Sequence, residues 1–177
     1  MPDRLSEPVH AGDHVRGAPG ADLELVMYGD FECPYCAAAQ GILARVEKRL
    51  GDRLRLVFRH FPLDGVHPNA RQAAAASEAA AAQEAFWAMH DALYASRGHL
   101  AEADLEQRAR ELGLDAERLA GEVRDGAHAA RVEHDLATGR SSGVTGTPAF
   151  FANGVRVEGA FDAGSLVEAL RAGATAA

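Results

Sequence analysis

Two cysteines three positions apart, in Cys33-Pro34-Tyr35-Cys36, are the only cysteines of the chain. They stand between an apolar run, Leu23 to Tyr28, that reads as a buried strand, and a stretch from Ala37 onward with helical periodicity. Cys33 therefore falls at a helix N-terminus. Unpaired backbone N–H groups and the positive end of the helix dipole favour a thiolate over a thiol there. Cys36 lies one turn further on, so its sulfur can reach a mixed disulfide formed on Cys33 and resolve it. Thiol–disulfide exchange is the chemistry this spacing supports. Two blander readings stand beside it. The pair could be half of a zinc site completed by His60, His67 or His90, although a zinc ribbon calls for a second cysteine pair or closely spaced histidines. It could also be an inert pair in a fold used for something else. Taken singly, each histidine reads as a surface or loop residue, and Phe86 and Trp87 read as core.

The elements that must position the pair follow from the patterning. Residues 1–22 are polar, with Pro2, Pro8 and Pro19, and are expected to form an arm with little regular structure and no function. After the strand at 23–28, a helix is expected over 34–50, with Pro34 in its first turn and Ile42, Leu43, Val46 and Leu50 on one face. Leu54 to Phe61 alternates as a second strand, closed by Pro62. From Asn69 to Thr138 the chain is alanine-rich and helical, with helices expected at 69–82, 84–96, 102–112, 115–121 and 127–139. Pro148 to Ala152, the hairpin signal Asn153-Gly154, and Val155 to Glu158 read as two paired strands, and Asp162 reads as the N-cap of a last helix from Ala163 to Arg171. Strand, helix, strand requires a parallel pair with a right-handed crossover.

A length of 177 residues fits one globular unit, and 47% apolar with 25% charged residues excludes a disordered or fibrous chain. The net charge of −8 argues against nucleic acid and anionic membrane surfaces as partners. The first residues contain no apolar run to serve as a signal-peptide core, so a cytoplasmic location is expected, or a periplasmic or otherwise extracytoplasmic one if a signal peptide has been removed.

This order of elements resembles the thioredoxin fold, specifically its DsbA-like branch, an α/β fold in which an all-helical domain is inserted between the second and third strands. Asp30-Phe31-Glu32-Cys33-Pro34-Tyr35-Cys36, Arg59-His60-Phe61-Pro62-Leu63, His67-Pro68-Asn69-Ala70, Phe86-Trp87-Ala88-Met89-His90 and Gly143-Val144-Thr145-Gly146-Thr147-Pro148 carry the resemblance, which covers nearly all of the chain after residue 22. It divides the chain into the arm 1–22, a thioredoxin-fold domain of 23–68 and 139–177, and an inserted helical domain of 69–138. It implies Cys33 as nucleophile, Cys36 as resolving cysteine, and a cis Pro148 beside them. Thr147, Pro148 and Tyr35 would bind the substrate, with Pro34 tuning the couple. No metal or organic cofactor is implied, since the disulfide is itself the redox centre. The implied partners are a disulfide-containing protein or peptide and a thiol donor, glutathione or a thioredoxin system. In a reducing compartment the direction would be reduction or isomerisation.

One departure stands out. The family's buried acid, six residues before the first cysteine, is here Met27. Deprotonation of Cys36 is then left to water, Asp30 or Glu32, or the resolving step is slow. Two rival functions remain open: a glutathione-linked oxidoreductase or isomerase on the same fold, since Pro-Tyr is also the glutaredoxin dipeptide, and a redox-regulated chaperone or binding protein.

Overall fold

The computed structural model describes residues 4–159 and 161–174, so the outer ends of the arm and of the last segment, 1–3 and 175–177, lie outside the described residues. Strands β1 (His14–Gly17), β2 (Leu23–Gly29), β3 (Leu54–His60), β4 (Ala149–Ala152) and β5 (Val155–Val157) form one sheet in the order β1-β3-β2-β4-β5. β2 and β3 run parallel, with Leu23 opposite Leu54 and Gly29 opposite His60, while the other neighbours are antiparallel. The parallel pair is joined through α1 (Pro34–Leu50) and a short 3-10 turn at Gly51–Arg53. Helices α2 (Ala70–Ala81), α3 (Phe86–Ala95), α4 (Glu102–Glu111), α5 (Ala116–Arg124) and α6 (Ala129–Ser141) follow, then the β4–β5 hairpin and α7 (Ala163–Ala174). This is the thioredoxin fold with a helical insertion that the sequence resemblance implies.

Each strand face has its own cover, and the period of two in the sequence decides which residue goes where. Leu23, Leu25, Met27, Leu54, Leu56 and Phe58 pack with Leu43 and Val46 of α1 and with Leu166 and Leu170 of α7. Val26, Tyr28, Val57 and Phe151 face the other way, onto Val132 and Leu136 of α6. Burying each of these large side chains is worth about 1.5–3 kcal/mol, so a register slip of one residue in β2 would forfeit both faces at once. The hairpin turns through Asn153 at φ 49° and Gly154 at φ 78°, the left-handed pair that a tight two-residue turn requires. Asp162 caps α7 as expected, its Oδ1 accepting from the Ser165 N–H at 2.9 Å.

The arm departs from its expectation. Instead of lacking regular structure, His14–Gly17 adds an edge strand to β3, which moves the helical insertion to between the third and fourth strands of the sheet. Its anchor is ionic. Arg59 and Asp13, their side chains both buried, form a two-pronged pair at 2.9 Å, and Arg59 also donates to the Glu7 and Pro8 carbonyls and to the Tyr28 hydroxyl. On the opposite face of β3, one oxygen of Glu78 meets Nε2 of both His14, at 2.6 Å, and His60, at 2.7 Å. Burial pushes the Glu78 carboxyl up, but the two imidazole hydrogen bonds outweigh it and hold the group far below the ordinary carboxylate range.

Candidate active site

β2 ends at Gly29, and the chain turns through Asp30 to Glu32 into α1. Asp30 builds that turn: Oδ1 accepts from the Glu32 N–H at 2.8 Å, while Oδ2 accepts from the Leu63 N–H at 2.9 Å and pairs with Nδ1 of His67 at 2.7 Å. Glu32 is likewise occupied, accepting from the backbone and side-chain amides of Asn69 at 2.6 and 3.0 Å. Both carboxylates thus hold the turn in place beside the motif.

Cys33 is the N-cap of α1, at φ −72° and ψ 120°, with Pro34 at the first helical position and no side chain capping that end. The first-turn N–H groups are thus left to face the sulfur. Both thiols are free, and the residues are 3% and 0% exposed, respectively. The Cys33 thiol is held down to about 5, first by the hydrogen bond from the Cys36 thiol and then by the Thr147 hydroxyl and the N–H groups of Cys36 and Tyr35, against the opposing effect of burial. Cys36 is pushed the other way, mainly by burial and then by its negative neighbour. One cysteine is a thiolate at neutral pH and the other a reserve thiol.

The loop after α6 closes the site. Its start is fixed by the Val144 N–H donating to the Gly139 carbonyl at 2.9 Å and by Arg156 on the Gly143 carbonyl at 2.6 Å. The Thr147–Pro148 peptide is cis, and the Thr147 carbonyl lies 3.4 Å from Cys33 Sγ. Thr147 Oγ1 is buried beside the sulfurs, where its hydroxyl favours the Cys33 thiolate. Tyr35, 72% exposed, projects from the motif into solvent. Met27 is buried in the sheet before the motif, its Sδ 3.9 Å from Nε2 of Gln40. Cys33, Pro34, Phe31, Tyr94 and Arg97 border a cleft of about 260 Å³. The structure thus gathers Cys33, Cys36, Thr147 and Pro148 at one point and leaves Tyr35 at its rim. Among the described residues, the groups close enough to hold a metal ion are Glu7–His10–His134 and His14–His60–Glu78, and neither contains a cysteine.

The chain matches the family described as thioredoxin over residues 10–172. It belongs to the thioredoxin family. Within it, the helical insertion and the Cys33-Pro34-Tyr35-Cys36 motif make it DsbA-like. A thioredoxin-like oxidoreductase from Silicibacter pomeroyi DSS-3 superposes with a TM-score of 0.85 at 29% identity, covering 95% of each chain. BdbD from Bacillus subtilis gives 0.88 at 22% identity, covering 98% of this chain and 99% of that one, a likeness of fold. Among curated proteins, the Na(+)/H(+) antiporter NhaA 1 of Mycobacterium sp. (strain KMS) is 44% identical over 165 residues, which are 91% of this chain and 27% of that protein. The chain thus spans about a quarter of the length of the curated relatives it matches. As a thioredoxin-family oxidoreductase, this chain carries out thiol–disulfide exchange with its own cysteine pair as the redox centre.

Proposed function

We propose that Cys33 is the attacking thiolate, that Cys36 resolves the mixed disulfide, and that Thr147 and Pro148 hold an extended stretch of a disulfide-bearing protein while the exchange proceeds. The split between the two thiols supports this most: about 5 for Cys33 and far above the ordinary thiol range for Cys36. Tyr35 at the rim packs on the substrate, and Pro34 tunes the couple by fixing the first turn of α1.

The same low value bears on direction. Thioredoxin, with a nucleophile near 7, has a potential of about −270 mV, and DsbA, near 3.5, has about −120 mV. A nucleophile at about 5 interpolates to roughly −185 mV. Against a cytoplasmic glutathione pool at about −220 to −260 mV such a couple stands mostly reduced and acts as a reductase or isomerase, with glutathione or a thioredoxin system as donor. The DsbA-like branch favours a second reading, an extracytoplasmic site of action where the same couple passes its disulfide to substrates. No helix among the described residues is long and apolar enough to cross a membrane. We assign this chain the redox chemistry and not the ion transport named for its curated relatives.

The test is trapping. Cys36→Ser protein incubated with a disulfide-bonded substrate should accumulate a mixed disulfide at Cys33 that dithiothreitol releases, and Cys33→Ser should form none. A Cys36→Ser protein that traps only glutathione, with turnover intact, would transfer the assignment to a glutathione-linked enzyme. Chaperone activity unchanged in the double Cys→Ser variant, with no trapping, would favour a binding protein.

A further inference from the structure

A buried hydroxyl without a hydrogen-bond partner among the described residues lies near the cysteine pair: that of Tyr94. It comes from α3 of the helical insertion, where the sequence suggests only core bulk. Tyr94 is 6% exposed, and its ring is wedged against Phe31, at 4.9 Å between centroids, and His90, at 5.0 Å. The hydroxyl extends over the end of β2, where Gly29 leaves room for it: a Cβ on Gly29 would sit 2.8 Å from the Tyr94 oxygen. Tyr94 shares one buried cluster with Cys33 and Cys36 and borders the cleft lined by Cys33, Pro34 and Arg97. Buried hydroxyls are almost always paired in folded proteins, so one held unpaired against a reacting sulfur calls for a role.

We propose that Tyr94 is a catalytic residue of the resolving step, its hydroxyl donating a hydrogen bond to the Cys36 sulfur as that sulfur becomes a thiolate. The proposal rests on the assignment of Cys33 as nucleophile and Cys36 as resolving cysteine. Burial, with the neighbouring cysteines and Asp30, pushes the Tyr94 hydroxyl well above its ordinary range, so it stays protonated and acts as donor, not as base. In the step itself, Cys36 gives up its proton to water in the cleft and accepts the Tyr94 hydrogen bond. The Cys36 thiolate then attacks Cys33 Sγ. The Cys33–substrate S–S bond breaks as the Cys33–Cys36 bond forms, and the substrate sulfur leaves as a thiolate that takes up a proton from water. The dithiol is oxidised by two electrons and the substrate disulfide is reduced by two. With apolar Met27 buried on the strand before the motif, the hydroxyl supplies Cys36 with a polar contact from the helical insertion.

The experiment separates two rates. Reduced protein is mixed with oxidised glutathione and quenched with acid, and mass spectrometry follows the Cys33 adduct and the intramolecular disulfide. Tyr94→Phe, which keeps the ring, should form the adduct within twofold of the wild-type rate and resolve it on the order of tenfold more slowly. In a Cys33→Ala background the same substitution should slow alkylation of Cys36 by a similar factor, a readout independent of the adduct. Resolution within twofold of wild type would overturn the proposal, as would equal slowing of both steps with a lowered melting temperature, the signature of a packing role. If no adduct forms at Cys33 in the wild type, the underlying assignment fails before Tyr94 is tested.

Discussion

Replacing Cys36 with alanine should move the titration of Cys33 more than any other single change at the site. The hydrogen bond from the Cys36 thiol is the largest of the influences holding Cys33 at about 5. A hydrogen bond to a charged group is worth about 1.5–3 kcal/mol, which at about 1.4 kcal/mol per pH unit is roughly one to two units. Cys33 in Cys36→Ala should therefore titrate between about 6 and 7. At pH 6 its thiolate fraction would fall from about nine-tenths to between roughly a tenth and a half. A rate measured at that pH alone would hide the change. The more basic thiolate is also the better nucleophile, with a Brønsted slope of about 0.4–0.5, so the alkylation plateau rises about 2.5- to tenfold while the midpoint shifts. The assay is the full pH profile of iodoacetamide alkylation from pH 3 to 9, with thiolate absorbance at 240 nm as a second probe. Cys36→Ser, which keeps an O–H donor at the same place, should leave the midpoint low. A Cys36→Ala midpoint within a few tenths of wild type would refute the reasoning and assign the low value to the helix N–H groups and Thr147.

Three further outcomes follow from the same structure. Thr147→Val removes the buried hydroxyl beside the sulfurs and should raise the Cys33 midpoint by about one unit or less, read by the same profile. Asp13→Ala leaves Arg59 buried and unpaired, and should lower stability by about 3–5 kcal/mol in a urea titration; a loss under about 1 kcal/mol would mean that the arm is not anchored there. Glu78, held below its ordinary value, contributes stability that is fully present above about pH 4.5 and is lost as the pH falls. The loss should run at about 1.4 kcal/mol per unit and be absent from Glu78→Gln, as acid unfolding of the two proteins would show.

Much of this architecture is legible in the sequence because its signals are local. The Cys33-to-Cys36 spacing, Pro34 at the helix start, Asn153-Gly154 at the hairpin and the alanine-rich helices each carry their own structural instruction. What escapes is what the sheet makes from distant residues. β1 is four residues long and becomes a strand only because β3 offers an open edge to it. Arg59 reads as an outward residue of an alternating strand, yet α6 and the arm cover that face, so its charge is buried and draws in Asp13 from 46 positions away. Asp30 and Glu32 are candidate proton acceptors by proximity in sequence, and only the fold shows that they also hold the turn, through Leu63, His67 and Asn69. Tyr94 lies 58 positions from Cys36 and carries no local signal, since a tyrosine at helical spacing is ordinarily core.

The reduction potential of the Cys33–Cys36 couple tests the central claim most directly. Purified protein equilibrated with defined glutathione mixtures, with free thiols trapped and counted, should show one two-electron couple on the order of −200 mV, more oxidising than thioredoxin, as a stabilised thiolate at Cys33 favours. A value at or below about −270 mV would contradict a strongly stabilised thiolate, and the absence of any titrating couple would contradict the dithiol chemistry itself.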